Sequence, residues 1–278
     1  MGVYDDVAKA IADKRLMLFV GAGVSACLDL PTWNQLMGHL AGELGFAPEI
    51  FTTSADNMVL AEYYLLEKGP IGPLRGWMDR EWHKKPDRIG DSKVHELITK
   101  LQFPVIYTTN YDRWIELAFE AAKLRFVKIS NVGDIQKASP GDTEVVKFHG
   151  DFDDDESIVL TESQYFSRLS FEHPLDIKLR GDTLDKGILF IGYSLADINM
   201  RYLLFKLQQI WNSYGGTQRR PNSYIFLARP NPVQEKVLQA RGITPVVSDF
   251  DDPKEGLIQF LQALYDVLNP TIKPTATA

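Results

Sequence analysis

Arg15-Leu16-Met17-Leu18-Phe19-Val20 runs directly into Gly21-Ala22-Gly23-Val24-Ser25, and the fold is decided at that junction. A short, unbroken apolar run that stops at glycine reads as a strand buried on both faces, as in a parallel sheet. Gly21 and Gly23 let the chain turn tightly and bring backbone N–H groups close to a ligand. A helix starting there would favour a phosphate at its N-terminus, with Ser25 either capping it or donating to a phosphate oxygen. The Gly-x-Gly order lacks the third glycine of the dehydrogenase fingerprint, so a plain strand-to-helix turn explains the loop equally well.

Outward from this junction, strands and helices alternate. Thr32 to Gly45 reads as a helix, with Thr32 as N-cap and Gly45 as stop. Helical patterns over 54–68, 73–83 and 92–101 carry no strand signal between them, so residues of about 46–101 are expected to form a helical lobe inserted into the domain. Alternation resumes with strands at 104–108, 125–129, 144–148, a short one at 157–160, and at 187–191, 223–228 and 244–247. Helices are expected over 113–123, 198–211, 232–240 and 254–268, and two short ones over 162–184 broken near His173-Pro174. Strands joined by crossover helices predict an α/β fold with a Rossmann-like, doubly wound, mostly parallel sheet. The whole chain, 1–278, reads as one domain, with a disordered tail at 269–278 of proline and small polar residues.

Composition removes several function classes. The 278 residues carry a formal charge of −7, which disfavours nucleic-acid binding through a general basic surface. No apolar run approaches bilayer length and no secretory signal opens the sequence, so a cytoplasmic protein is expected, with no membrane contact. The single cysteine, Cys27, excludes an internal disulfide and a zinc site built from several thiolates. No metal is expected.

Four strand ends carry unusual chemistry. After Gly21–Ser25 comes Thr108-Thr109-Asn110-Tyr111-Asp112, where Asp112 could also cap the next helix. The third is Lys147-Phe148-His149-Gly150, which offers a histidine as an acid–base group. The fourth is Gly192-Tyr193-Ser194-Leu195-Ala196-Asp197, where Ser194 and Asp197 could bind ribose hydroxyls or cap a helix. His39, His83, His95 and His173 lie in helix-rich segments, where a structural role is the plainer reading. Ligands of doubly wound sheets bind beyond the carboxyl ends of the strands, and all four segments lie there.

In that order the four segments resemble the sirtuins, and especially the sirtuin-like NAD hydrolases of bacterial anti-phage defence. Gly21-Ala22-Gly23-Val24-Ser25 is similar to the family's Gly-Ala-Gly-x-Ser loop. Thr109-Asn110-Tyr111-Asp112 is similar to its Gln-Asn-x-Asp motif, with Thr109 in place of Gln. His149-Gly150 resembles its catalytic His-Gly, and Gly192-Tyr193-Ser194-Leu195 its Gly-Thr-Ser-Leu nucleotide loop. The four zinc cysteines of the deacetylases are absent, and Asp151–Glu156 stands in that region. Asn34 stands where the deacetylases' cofactor loop has arginine.

The resemblance implies NAD as substrate, cleaved at the nicotinamide–ribose bond to nicotinamide and ADP-ribose. It implies catalytic roles for Asn110, Asp112 and His149, and cofactor-binding roles for Gly21, Ala22, Gly23, Ser25, Thr109, Gly192, Ser194 and Asp197. It further implies control by assembly, as a homo-oligomer or with a DNA-translocating ATPase or short Argonaute partner. An NAD-dependent protein deacylase and a non-catalytic NAD or ADP-ribose sensor are the alternatives.

Overall fold

The computed structural model describes residues 2–168, 170–193, 198–213 and 221–270, with backbone alone at 198–200. The elements in chain order are α1 (Val3–Ala12), β1 (Leu16–Val20), α2 (Ala22–Ala26), α3 (Trp33–Leu44), α4 (Pro48–Ser54), α5 (Asn57–Lys68), α6 (Gly72–Trp82) and α7 (Lys93–Leu101). Then come β2 (Val105–Thr108), α8 (Trp114–Ala121), β3 (Phe126–Ile129), α9 (Val132–Ile135), β4 (Thr143–Lys147), α10 (Glu162–Arg168) and α11 (Pro174–Asp182). The last are β5 (Gly187–Ile191), α12 (Ile198–Ser213), β6 (Ser223–Leu227), α13 (Pro232–Ala240), β7 (Ile243–Val247) and α14 (Pro253–Leu268).

The apolar run Leu16–Val20 is the central strand, and all five of its residues are buried. The sheet has seven strands in the order β3-β4-β2-β1-β5-β6-β7, and every pairing is parallel. Side-chain alternation along the strands divides the core in two. Leu16, Leu18 and Val20 pack with Ile106, Leu189 and Ile191 beneath α1, α7, α8 and α14. Met17 and Phe19 pack with Tyr107, Val146, Ile188 and Phe190 against α11, α12 and α13. The fold is therefore the doubly wound α/β sandwich that the strand pattern predicts, with the switch point where β2 and β5 flank β1.

A third core lies away from the sheet. Leu36, Met37, Leu40, Phe51, Leu60, Tyr64, Leu74 and Met78 join α3 to α6 in a helical lobe. Tyr111, Phe152, Ile158 and Leu160 complete it from the strand-end loops, so the lobe is packed onto the loops that follow β2 and β4. The capping box of Thr32 and Gln35 and the left-handed Gly45 bound α3 as expected. α7 belongs elsewhere: Val94, Leu97, Ile98 and Leu101 lie in the sheet core, which makes α7 the crossover into β2.

The short strand expected at 157–160 is absent. A 3-10 turn, Asp155–Ser157, stands there, followed by extended chain held by a bond from Val159 N to His149 O of 2.9 Å. Ile158 and Leu160 pack into the lobe core. The stripe Leu257, Leu261 and Leu264 of α14 is buried against the sheet. The tail residues 271–278 lie outside the described residues. Among those described, no helix is long and apolar enough to cross a membrane.

Candidate active site

The strands that matter end level. Val20 pairs with Thr108 on one side and Ile191 on the other, and Thr108 pairs with Lys147. The first residues beyond that edge are Gly21, Thr109, Phe148 and Gly192, and two of the loops that follow carry Asn110 and His149.

The loops after β1 and β5 are fitted backbone to backbone. Gly21 N donates to Ile191 O at 2.9 Å, and Gly23 N to Gly192 O at 2.8 Å. Gly192 has φ +72°, and a Cβ there would sit 2.8 Å from Val24 N. A Cβ on Gly23 would sit 2.9 Å from Gly192 Cα. The glycines are thus required first by each other. Ala22 and Gly23 remain exposed beside the crevice.

Side chains hold the loop after β2. Asn110 is almost fully buried. Its Nδ2 donates to Gly21 O at 3.1 Å and to Ser25 Oγ at 2.8 Å. Ser25 in turn donates to Asp112 Oδ2 at 2.6 Å. The single Ser25 proton is therefore directed at Asp112. Asp112 Oδ1 accepts from Trp114 N at 3.2 Å, so it also satisfies the first N–H of α8, whose N-cap is Arg113. Thr109 Oγ1 lies 3.0 Å from Tyr193 OH, which donates to Val20 O at 3.0 Å. Among the described residues nothing donates to Asn110 Oδ1, the acceptor left over from this network.

Beneath the loop lies a buried cation. Lys147 is fully buried, donates to the backbone oxygen of Asp112, and lies 3.2 Å from the Glu116 carboxylate. Burial raises the Glu116 pKa, and Lys147 pulls it back down in part. His95, also buried, donates or accepts at 2.6 Å with Ser92 Oγ. Burial lowers its pKa from 6.5 to about 4, against the opposing field of Asp112.

His149 stands half-buried at the end of β4. Its Nδ1 is 3.4 Å from Tyr165 OH, with the two rings edge-on at 5.1 Å. Burial first, then the Arg168 guanidinium, lowers its pKa from 6.5 to about 3. Both effects favour the neutral imidazole. Gly150 has φ +97°, and a Cβ there would lie 2.3 Å from Ser157 O, so the turn after His149 accepts only glycine. Beside Phe148 and Gly150, a cavity of about 280 Å³ opens on the β3 side, lined by Asn131, Gln164, Arg168 and His173 among others. Ser194 and Asp197 lie outside the described residues.

Residues 104–246, about half of the chain, match the SIR2-like domain family. The chain belongs to that family. The matched stretch contains Thr109 to Asp112, His149 and Gly192, and begins after the Gly21 loop. Among curated proteins, this SIR2-like chain is 30% identical over 217 residues to the NAD(+) hydrolase ThsA of Bacillus cereus strain MSX-D12, across 77% of this chain and 44% of that protein. It is 32% identical over 210 residues to the ThsA of Enterococcus faecium, across 73% and 42%. It is 26% identical over 241 residues to defense-associated sirtuin 2 of Bacillus subtilis, across 84% and 23%. The chain spans less than half the length of these relatives. Among the described residues, no cluster of His, Cys, Asp and Glu could hold a metal ion.

The sequence reading brings Asn110, Asp112, Ser25 and Gly21 to one place, and the structure joins them by hydrogen bonds. It does not single out Tyr193 as the support of Thr109, nor Lys147 as the support of Asp112. Lys147 carries one signal in the sequence: a cation two residues before His149 on a strand otherwise apolar at that end.

Proposed function

We propose that the chain hydrolyses NAD at the nicotinamide–ribose bond, giving nicotinamide and ADP-ribose. One observation carries this reading. Asn110, whose carboxamide oxygen has no donor among the described residues, and His149 follow the adjacent strands β2 and β4, which end level beside the switch point of a SIR2-like sheet. The names of the ThsA relatives support the same reaction.

In this reading the pyrophosphate lies along the exposed Ala22-Gly23 turn, and the adenosine end near Gly192, Ser194 and Asp197. Thr109 lines the crevice between them. The nicotinamide ribose faces Asn110 and His149. Nicotinamide leaves as a neutral molecule from a cationic donor, so the step needs little acid help. It needs a positioned water and stabilisation of the oxocarbenium ion that forms. Asn110 Oδ1 accepts from a ribose hydroxyl or from the attacking water. His149 accepts a hydrogen bond from a ribose hydroxyl, with its basicity lowered by burial and by Arg168. Asp112 holds Ser25 and hence Asn110. Water adds to the ribose C1′ and gives up one proton to solvent.

Control by assembly follows from the danger of unregulated NAD loss, with anti-phage defence as the setting. A homo-oligomer, or a complex with a DNA-translocating ATPase or short Argonaute protein, is the form proposed.

Separating the products of the purified chain with NAD tests the reaction. Equal amounts of nicotinamide and ADP-ribose without any peptide are expected. Nicotinamide release only in the presence of an acyl-lysine peptide would contradict the reading.

A further inference from the structure

Both polar ends of the Asp112–Arg113 peptide are gripped by side chains from outside its loop. Its carbonyl oxygen accepts from Lys147 Nζ. Its N–H donates to His83 Nε2, 2.9 Å away, at the end of α6. A backbone N–H can only donate, so Nε2 must be bare and the ring proton must sit on Nδ1. Nδ1 faces Asp79, 2.9 Å from Oδ1 and 3.0 Å from its backbone oxygen. Asp79 therefore fixes the tautomer that leaves Nε2 able to accept.

The surroundings of the ring are built around this contact. The Arg113 guanidinium reaches Asp79 Oδ2 at 3.2 Å and Asp153 at 2.7 Å. Lys128 also pairs with Asp153. The rings of Trp114 and Phe152 lie 5.6 Å and 6.0 Å from the imidazole. Asp79 on α6, and Arg113 with Asp153 behind it, are the charged groups on this histidine.

We propose that His83 is a positioning residue for the NAD site. Through the Arg113 N–H it holds the peptide that carries Asp112. The Asp112 carboxylate holds Ser25, and Ser25 holds the Asn110 amide. In this role His83 acts through the peptide and not on substrate. Because α6 belongs to the helical lobe, the lobe is mechanically joined to the catalytic loop through this ring. The inference rests on the NAD-hydrolase reading for its rate measurements and stands on loop exchange without it.

The test compares the full chain with His83→Gln, which keeps an acceptor near the Nε2 position, and His83→Leu, which fills the space without one. In the Leu variant kcat should fall about 10- to 100-fold with KM little changed, the effect of a misplaced catalytic group. The Gln variant should keep kcat within about fivefold of wild type, since its amide oxygen can take the same N–H. Amide exchange over residues 110–114 should be faster in the Leu variant alone. Equal kcat and equal exchange in folded Leu and Gln variants would overturn the proposal. If the Leu variant does not fold, His83→Met, whose thioether is only a weak acceptor, takes its place, and equal kcat and equal exchange in the Met and Gln variants would overturn the proposal instead. If the wild type releases no nicotinamide, the hydrolase reading fails, and exchange alone decides: faster exchange only in the Leu variant supports the role of His83, and equal exchange overturns it.

Discussion

The two sides of the crevice are built by opposite means. After β1 and β5, backbone fits backbone, and glycines at 21, 23 and 192 allow the approach. After β2, the loop is held by four side chains that reach in from elsewhere in the chain: Ser25, Lys147, His83 and Tyr193. The first arrangement is rigid because nothing larger than hydrogen fits. The second is rigid only while each hydrogen bond is made. In the proposed reading the glycine side would take the diphosphate of NAD and the side-chain side the chemistry, where bonds can be adjusted one residue at a time.

The largest effect is expected on the glycine side. Gly192→Ala puts a methyl group 2.8 Å from Val24 N at a left-handed φ of +72°. The backbone strain alone costs about 1–3 kcal/mol, and the overlap adds to it. Calorimetry should show a clear drop in melting temperature, and NAD cleavage should fall with it. A variant that melts like wild type would mean that the two loops are not locked together.

Acid should act on the other side. His95 has its pKa lowered from 6.5 to about 4 and lies under the Asp112 loop. Below pH 6.5 the unfolded chain binds this proton and the folded chain does not, so stability is full above 6.5 and falls towards pH 4. The difference amounts to about 3 kcal/mol. Denaturant melts at pH 7 and pH 4.5 should therefore converge in His95→Gln relative to wild type. Equal pH dependence in both proteins would remove His95 from the account.

Ser25→Ala should come next. It leaves the Asp112 carboxylate and the Asn110 amide each short of a buried partner, worth about 2 kcal/mol of stability. Turnover should fall with the Asn110 geometry. Normal kcat in this variant would show that Asn110 is placed by Gly21 alone. The smallest change is Thr109→Val. It removes one bond to Tyr193, whose own bond to Val20 remains, so a loss of about 1 kcal/mol or less is expected in the same melts.

The same contrast explains what the sequence could tell. The parallel sheet is legible because buried strands are written as apolar runs, such as Leu16–Val20 and Gly187–Ile191, ending in glycine. Asn110 and His149 are legible because each lies two residues beyond the end of a strand, β2 or β4. His83 is not: a histidine on a helical pattern, 30 residues from its partner, looks like any other surface or core histidine. α1 is also missing from the sequence reading, which has no element before Arg15, although Val7, Ala8 and Ile11 pack beneath the sheet. The strand expected at 157–160 fails for a related reason. Its apolar residues serve the lobe core rather than a ladder, and local pattern does not distinguish the two.

Nicotinamide release from NAD by the wild-type chain, beside Asn110→Ala and His149→Ala with melting curves of all three, tests the central claim most directly. The account predicts release by the wild type, a loss of about 100-fold or more in each variant, and intact folding in all. Undiminished release by both folded variants would place the chemistry elsewhere and contradict it.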